Sequence, residues 1–138
     1  MKIFLDTSAL VALYNADDVH HEEARTTMDL IKRGEIPFTR FYTTDYVIDE
    51  TLTFLSLIVK DHDLAIEVGR ALLQSPFTSI IHVDAELFHK SWERFQKIKG
   101  PSFTDCTSFT VIEENGLSPA FTYDSHFRAA GFRTMGDY

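Results

Sequence analysis

The interpretation of the chain begins with residues 2–10, Lys2-Ile3-Phe4-Leu5-Asp6-Thr7-Ser8-Ala9-Leu10. Three consecutive apolar residues without polar alternation are typical of a strand buried on both faces, as in parallel sheets covered by helices. The following residues, from Ser8 to Tyr14, have the pattern of a short helix. The order strand, acid, helix places Asp6 at the carboxyl end of a strand, which is where open α/β sheets bind ligands.

The remaining sequence alternates strand-like and helix-like segments, which predicts an α/β fold with a central, mostly parallel sheet of four to five strands flanked by helices. Further strands are predicted at Pro37–Thr43, Ser79–Val83 and Pro119–Tyr123, with a last short one near Phe132–Met135. Helices are predicted from an Asp18 cap to Gly34, from Asp45, capped by Thr44, to about Val59, from about Leu64 to Leu73, from an Asp84 cap to Gly100, and from about Asp105 to Glu114.

Length and composition indicate one ordinary globular domain spanning residues 1–138, with 44% hydrophobic and 25% charged residues. A single cysteine, Cys106, cannot form an internal disulfide and fits a reducing compartment. No apolar run approaches the roughly 20 residues of a membrane helix. The N-terminus reaches an acid at Asp6, too early for a secretory signal. We therefore expect a cytoplasmic protein.

The formal net charge of −8 argues at first sight against a nucleic-acid partner, because phosphate backbones favour basic surfaces. Two interpretations reconcile the charge with such a partner. Clustered acids can be metal ligands, since a bound divalent ion reverses the local sign. An acidic protein can also be matched to a basic protein partner. Composition does not choose between these interpretations.

Three acids occupy the ends of predicted elements. Asp6 ends the first strand, Asp124 ends the fourth, and Asp105 opens a helix after a Gly-Pro loop. Each has an ordinary structural explanation: Asp6 as a helix cap, Asp124 as the start of a turn, and Asp105 as a favourable charge at a helix N-terminus. Taken together, these explanations require three coincidences at one edge of one sheet.

A cleft of carboxylates has a restricted chemistry. Several carboxylates repel one another unless they are protonated or bridged by cations. Hard oxygen ligands suit Mg²⁺ or Mn²⁺ rather than zinc, and such ions activate water and stabilise charge on a phosphate under attack. An all-carboxylate site without thiolate ligands therefore points to phosphodiester hydrolysis.

Four blocks of sequence, in order, resemble the PIN-domain family, and most closely the VapC toxins of prokaryotic toxin–antitoxin pairs. They are Ile3–Leu10; Tyr46-Val47-Ile48-Asp49-Glu50-Thr51; Ser102-Phe103-Thr104-Asp105; and Phe121-Thr122-Tyr123-Asp124-Ser125-His126-Phe127 followed by Gly131-Phe132. No single block is decisive, but their order and spacing over nearly the whole chain make the match specific.

The resemblance implies a PIN-like fold and a metal-dependent endoribonuclease that hydrolyses RNA phosphodiester bonds through a metal-activated water. It implies that the catalytic metal ligands for Mg²⁺ or Mn²⁺ are Asp6, Glu50, Asp105 and Asp124. It also implies that the hydroxyls orienting these ligands belong to Thr7 or Ser8 and to Thr104. Helical periodicity alone leaves Glu50 and its neighbour Asp49 equivalent, and only the resemblance favours Glu50.

Several other residues have two interpretations. The His20-His21-Glu22-Glu23 run contains a metal-like spacing but is better explained as the polar start of an amphipathic helix. Trp92 and Phe95 are interpreted as core residues rather than as surfaces for base stacking. Of the basic residues, Lys97, Lys99 and Arg128 lie nearest the acid motifs in sequence and are the candidates for substrate binding.

The partners implied are an RNA substrate, a cognate antitoxin protein and a second copy of the chain in a homodimer, with no membrane. The apolar residues between Asp45 and Leu73 can form either that dimer interface or core. The alternatives are a housekeeping PIN nuclease with the same site and a non-catalytic PIN fold that only binds partners. A phosphatase of the haloacid-dehalogenase type is disfavoured, because the position of its second acid is occupied by Ser8.

Overall fold

Four parallel strands form the sheet of the computed structural model, which describes residues 1–38 and 40–137. The strands are β1 (Lys2–Leu5), β2 (Arg40–Thr44), β3 (Thr78–Ile81) and β4 (Ala120–Phe121), and their order across the sheet is β3-β2-β1-β4. The predicted α/β class and mostly parallel sheet are confirmed. Because every named strand runs in the same direction, the four carboxyl ends meet at one edge of the sheet.

Strand β1 lies inside the sheet, between β2 and β4. Ile3 is in register with Phe41 on one side, and Phe4 with Ala120 on the other. Ile3 and Phe4 have no exposed surface, which explains the uninterrupted apolar run that identified this strand. The next residue after β1 is Asp6, which is also the N-cap of the following helix.

Seven α-helices are present in the described ranges. They are α1 (Thr7–Tyr14), α2 (His21–Lys32), α3 (Asp45–Thr53), α4 (His62–Gln74), α5 (Ala85–Lys97), α6 (Phe103–Asn115) and α7 (Ser125–Ala129). Two predicted caps are confirmed: the Thr44 side chain accepts the N–H of Val47, and the Asp84 side chain accepts the N–H of Leu87. No helix among the described residues combines the length and apolar character needed to cross a membrane.

The boundaries of the first two helical predictions change in the structure. Asp18 is not the cap of α2, because its side chain accepts the N–H of His20 (2.8 Å) and the helix begins at His21. The long helix predicted to reach Val59 keeps α-helical hydrogen bonding only to Thr53 and continues as a π-helical turn at Phe54–Ile58. The wider turn rotates the side chains that follow it, so an α-helical periodicity extrapolated through this segment misplaces them.

Three strand predictions are shortened or shifted. The strand predicted at 37–43 begins at Arg40, and Thr39 lies outside the described residues. The fourth strand is reduced to Ala120–Phe121. In place of a fifth strand, a single parallel bridge joins Ala120 to Thr134 before a 3₁₀ turn at Met135–Asp137.

Helix α6 crosses the centre of the molecule and is buried along most of its length. Phe109 is fully buried at its midpoint, where its ring meets Phe127 edge to face at 5.0 Å and stacks on Phe132 at 5.1 Å. These contacts hold α6, which carries Asp105 in its first turn, against the C-terminal segment that carries Asp124.

Replacing Phe109 by alanine should therefore lower the free energy of unfolding by about 3–5 kcal/mol, since it removes a buried ring and leaves a cavity. Chemical denaturation followed by circular dichroism measures the change. Phe77→Ala is the matched control because that ring is 61% exposed, and it should change stability by less than about 1 kcal/mol. Equal effects of the two substitutions would contradict this view of the core.

Candidate metal-binding active site

The four predicted acids meet in one cleft at the carboxyl edge of the sheet. Asp6 follows β1, Glu50 projects from α3, Asp105 lies in the first turn of α6, and Asp124 precedes α7. All four line a cavity of about 310 Å³. The other lining residues are Thr7, Ser8, Val11, Asp18, His20, Phe54 and Tyr123. Residues distant in sequence are thus brought together by the parallel strand order.

Asp6 is the most deeply buried of the acids, with 3% of its surface exposed. Its Oδ2 atom accepts hydrogen bonds from the hydroxyls of Ser8 (2.7 Å) and Thr122 (2.8 Å) and from the N–H of Ser8 (3.4 Å). Burial raises the pKa of Asp6 above its ordinary value and the charge of Glu50 adds to this shift, whereas hydrogen bonds from the two hydroxyls and from the Thr7 backbone oppose it. Both hydroxyls donate to Oδ2, so Oδ1 has no hydroxyl donor among the described residues, and this buried carboxylate in a cleft of acids is suited to binding a cation.

Asp105 combines a structural and an electrostatic role. Its Oδ2 accepts the N–H of Ser102 (3.1 Å) while the Ser102 hydroxyl accepts the N–H of Asp105 (3.0 Å), which forms a capping box at the start of α6. Burial raises the pKa of Asp105 to about 7, opposed by the Ser102 hydrogen bond and reinforced by the charges of Asp124, Asp6 and Glu50. The charges of the other three acids therefore act on Asp105, which lies with them in one cleft.

The structure distinguishes Glu50 from Asp49. Glu50 is partly buried and lines the cleft, and its charge acts on Asp6 and Asp105. Asp49 is exposed and does not line the cleft. Packing of α3 against the sheet therefore selects one of two neighbouring acids that helical periodicity left equivalent.

Two hydrogen bonds fix the position of Asp124, one at its backbone N–H and one at its side chain. Its N–H donates to the Thr122 hydroxyl (3.0 Å), and its Oδ1 accepts the N–H of His126 (2.9 Å), so that it caps α7. The His126 ring lies beside it, with Nδ1 at 2.9 Å from the same Oδ1 atom. His126 belongs to the sequence block that carries Asp124, but spacing alone gave no reason to join it to the acids.

Of the three predicted orienting hydroxyls, the structure places one against an acid. Ser8 donates to Asp6, whereas the Thr7 hydroxyl is turned toward the backbone oxygen of Val47 (3.4 Å). No hydrogen bond joins the Thr104 hydroxyl to an acid in the described ranges. Thr122, which sequence reasoning did not single out, donates to Asp6 instead, and its position two residues before Asp124 was the available signal.

The predicted substrate-binding cations lie on two sides of the cleft. Lys97 and Lys99 line a shallow depression with Phe95 and Phe103 just before α6, and neither forms an ion pair with a described residue. Arg128 donates to the Thr134 hydroxyl (2.9 Å) and lines a groove of about 740 Å³ that adjoins the cleft at Asp124. These positions flank the acids and leave the cleft itself without a lysine or arginine among its lining residues.

Two aromatic residues predicted to be core are on the surface. Trp92 and Phe95 are 46% and 38% exposed on α5, and the exposed Phe88 lies on the same helix. The helix does have an amphipathic pattern, but its apolar face is only partly covered. Phe103 packs against the rings of Phe88 and Phe95, with centroids 5.1 and 5.8 Å apart, and both rings remain exposed beside this contact. The result is an aromatic surface next to the helix that carries Asp105.

The donor set fits a divalent ion of the Mg²⁺ or Mn²⁺ class. It consists of carboxylate oxygens gathered in one cleft, which are the ligands that such ions prefer. Asp105, Asp124 and His126 each present one atom within 4.8 Å of the others, a separation that allows them to share an ion. Asp6 and Glu50 line the same cleft but are not part of this close group.

Comparison with known proteins gives a consistent result. The sequence profile of the PIN domain matches residues 3–133. The 23S rRNA-specific endonuclease VapC20 of Mycobacterium tuberculosis is 33% identical over 132 residues, covering 94% of this chain and 95% of the relative. A VapC ribonuclease of Archaeoglobus fulgidus is 32% identical over 130 residues, covering 92% of this chain and 80% of the relative.

The solved structures agree with these sequence matches. The crystal structure of M. tuberculosis VapC20, described as a sarcin–ricin loop cleaving toxin, superposes with a TM-score of 0.84 at 32% identity, over 95% of this chain and 96% of that one. The structure of FitAcB from Neisseria gonorrhoeae, with a TM-score of 0.65 and 17% identity over 96% and 95% of the two chains, shares the fold. Fold, motif order and sequence identity together show that the chain belongs to the PIN domain family and that VapC ribonucleases are among its relatives.

Proposed function

We propose that this protein is a divalent-metal-dependent endoribonuclease of the VapC type that hydrolyses RNA phosphodiester bonds. The observation that carries the proposal is the convergence of Asp6, Glu50, Asp105 and Asp124 on one cleft at the carboxyl edge of the sheet. The kinship with VapC ribonucleases supports the same activity, and the presence of all four acids argues against a fold that only binds partners.

In this proposal the four carboxylates hold the ion, directly or through water. Bound Mg²⁺ or Mn²⁺ would supply the positive charge that activates water and stabilises the phosphate during hydrolysis. Ser8 and Thr122 hold Asp6 in one orientation by donating to its Oδ2, which leaves Oδ1 available to the ion. Lys97 and Lys99, which have no acidic partners among the described residues, would contact the RNA backbone beside the cleft.

The relatives suggest where to look for the substrate. VapC20 is named for cleavage of 23S rRNA and of its sarcin–ricin loop. We therefore propose structured RNA as the substrate class and a hairpin of the sarcin–ricin sequence as the first RNA to test. We also propose a cytoplasmic location, which an RNA substrate and the buried free thiol of Cys106 would fit.

The VapC kinship further suggests a toxin controlled by a protein antitoxin. The acids of the cleft would attract a basic segment of such a partner, and a guanidinium placed between two carboxylates would compete directly with the metal. The apolar surface formed by Phe54, Leu57 and Ile58 begins at the rim of the cleft, since Phe54 lines both. It offers an adjoining contact for the remainder of the antitoxin.

We also propose a homodimer that forms through the aromatic surface of α5. Phe88, Trp92 and Phe95 present large exposed rings of the kind enriched in protein interfaces. Phe88 and Phe95 contact Phe103, two residues before Asp105, so this interface would lie beside the start of α6.

Cleavage activity should depend on the acids of the cleft. Asp6→Asn, Glu50→Gln and Asp105→Asn should each lower the cleavage rate by about 100-fold or more, because each removes a charge that holds the ion. Purified protein, a fluorescent RNA hairpin and total RNA, with Mg²⁺ or Mn²⁺ and with EDTA, provide the measurement. Asp49→Asn is the matched control on the same helix and should retain activity.

Cleavage that persists in EDTA, or that survives in Asp6→Asn and Asp105→Asn, would contradict the proposed site. Equal loss in Asp49→Asn and Glu50→Gln would show that the assignment within α3 is wrong. Circular dichroism of each variant separates a loss of chemistry from a loss of fold.

The metal-free protein should lose stability as the pH rises. Folded Asp105 retains a proton up to about pH 7, whereas an unfolded aspartate titrates near 3.8, so the folded state binds more protons between these values. The free energy of unfolding should therefore decrease by about 2 to 3 kcal/mol from about pH 5 to about pH 8. Urea unfolding in EDTA at several pH values measures this slope.

The slope arises first from the burial of Asp105, and the charges of Asp124, Asp6 and Glu50 add to it. The His126 ring also faces this carboxylate, with Nδ1 at 3.9 Å from its Oδ2 atom. Asp105→Asn should flatten it, and Asp49→Asn should leave it unchanged. Addition of Mg²⁺ or Mn²⁺ at about pH 8 should restore stability, because the ion offsets the same repulsion. A slope that is identical in wild type and Asp105→Asn would contradict this explanation.

The dimer interface can be tested by placing charges on each exposed apolar surface in turn. A Phe88→Glu/Trp92→Glu variant should be monomeric, because two charges would be buried without partners in the interface. A Leu57→Glu/Ile58→Glu variant, changed on the other surface, should remain dimeric. Light scattering coupled to size exclusion gives the molar mass, and the opposite pattern would move the interface to the π-helical turn.

A further inference from the structure

His126 lies beside two of the acids but has no assigned function. Its Nδ1 atom is 2.9 Å from Oδ1 of Asp124 and 3.9 Å from Oδ2 of Asp105. Its side chain is 43% exposed, whereas those of Asp105 and Asp124 are 8% and 28% exposed. The ring is thus accessible from solvent while its nitrogen faces the acids at the edge of the cleft.

Nδ1 of His126 and Oδ1 of Asp124 lie at the distance of an ion pair, which forms when the imidazole is protonated. The same oxygen accepts the backbone N–H of His126 at 2.9 Å. A neutral imidazole in this position would present a nitrogen lone pair beside the oxygens of Asp124 and Asp105, as a ligand to a common ion requires. Neighbouring ligands of an octahedral ion with bonds of about 2.1 Å lie about 3 Å apart, which is close to the separation seen here.

The local fold holds this arrangement in place. Asp124 caps α7 through the N–H of the residue two positions later, so the backbone fixes the spacing between the carboxylate and the imidazole. On the far side of the ring, the loop before α6 comes close at Gly100, where φ is +121° and a Cβ would lie 3.5 Å from Nε2 of His126. The ring is therefore confined between this loop and the acids, and the loop residue is one whose backbone conformation favours glycine.

We propose that His126 is a direct nitrogen ligand of the divalent ion held by Asp105 and Asp124. The inference rests on the proposed metal-dependent function and goes beyond it, because the four acids alone would form an all-oxygen site. An imidazole ligand favours transition metals over Mg²⁺, so the site should select Mn²⁺ over Mg²⁺ more strongly than carboxylates would.

The test measures metal binding directly, without RNA. Mn²⁺ titration of the metal-free protein, followed by the electron paramagnetic resonance signal of free Mn²⁺ and by competition with Mg²⁺, gives both affinities. Pulsed resonance on the bound Mn²⁺ detects a directly coordinated nitrogen. Wild type should show nitrogen coupling, and His126→Gln should lose that coupling and weaken Mn²⁺ binding relative to Mg²⁺ by about 10-fold or more.

The matched control is His20→Gln, which removes the imidazole that lines the cleft, where His20 stacks on Tyr123 with ring centroids 4.3 Å apart. It should keep the nitrogen coupling and the wild-type ratio of Mn²⁺ to Mg²⁺ affinity. Melting curves in EDTA establish that both variants are folded.

The outcomes separate this inference from the proposed function. Mn²⁺ binding that is lost in Asp105→Asn, but shows no nitrogen coupling in wild type and no change in His126→Gln, would overturn the role of His126 and leave the carboxylate site intact. Failure of wild type to bind Mn²⁺ or Mg²⁺ would overturn both. Nitrogen coupling that disappears in His20→Gln instead would assign the ligand to His20 and also contradict the proposal.

Discussion

Burial of the Asp6 carboxylate is the constraint on which the rest of the site depends. With 3% of its surface exposed, this group has lost most of its hydration, and the hydroxyls of Ser8 and Thr122 replace it on one oxygen only. The same two hydroxyls accept the N–H groups of Tyr123 and Asp124, at 2.8 and 3.0 Å. The interactions that stabilise Asp6 therefore also fix the backbone that carries Asp124. The remaining oxygen of Asp6 has no such donor among the described residues, which is why the cleft is suited to a cation.

The structural and functional explanations of the acids turn out to be compatible. Asp6, Asp105 and Asp124 are each engaged at a helix N-terminus, as their ordinary structural explanations required. A carboxylate has two oxygens and several lone pairs, so one that accepts a backbone N–H retains capacity for a metal. The N-termini of α1 and α6 also carry partial positive charge, which reduces the repulsion between the acids before an ion binds. Capping therefore leaves the same side chains able to serve as the proposed metal ligands.

The sequence was sufficient for the parts of the molecule that depend on one segment at a time. The apolar run of β1, the caps at Thr44 and Asp84, and the acids after β1 and β4 were all visible as local patterns. The choice of Glu50 over Asp49 was not, because it depends on how α3 packs against the sheet. Thr122 was missed because its role depends on a contact with Asp6, which is distant in sequence. The exposure of Trp92 and Phe95 was also hidden, since an amphipathic pattern predicts an apolar face but does not say what covers it.

The net charge of −8 is misleading about partners because the charges are not spread evenly. The cleft alone is lined by five carboxylates, those of Asp6, Asp18, Glu50, Asp105 and Asp124. Two basic residues of α5 form ion pairs with glutamates. Lys90 pairs with Glu86 and Glu114, and Arg94 pairs with Glu113. Lys97 and Lys99, nearer the cleft, form no ion pair with a described residue. Part of the acid excess is therefore concentrated at the proposed metal site, where a bound ion would offset it. Lys97 and Lys99 would be available to phosphate groups in the proposed function.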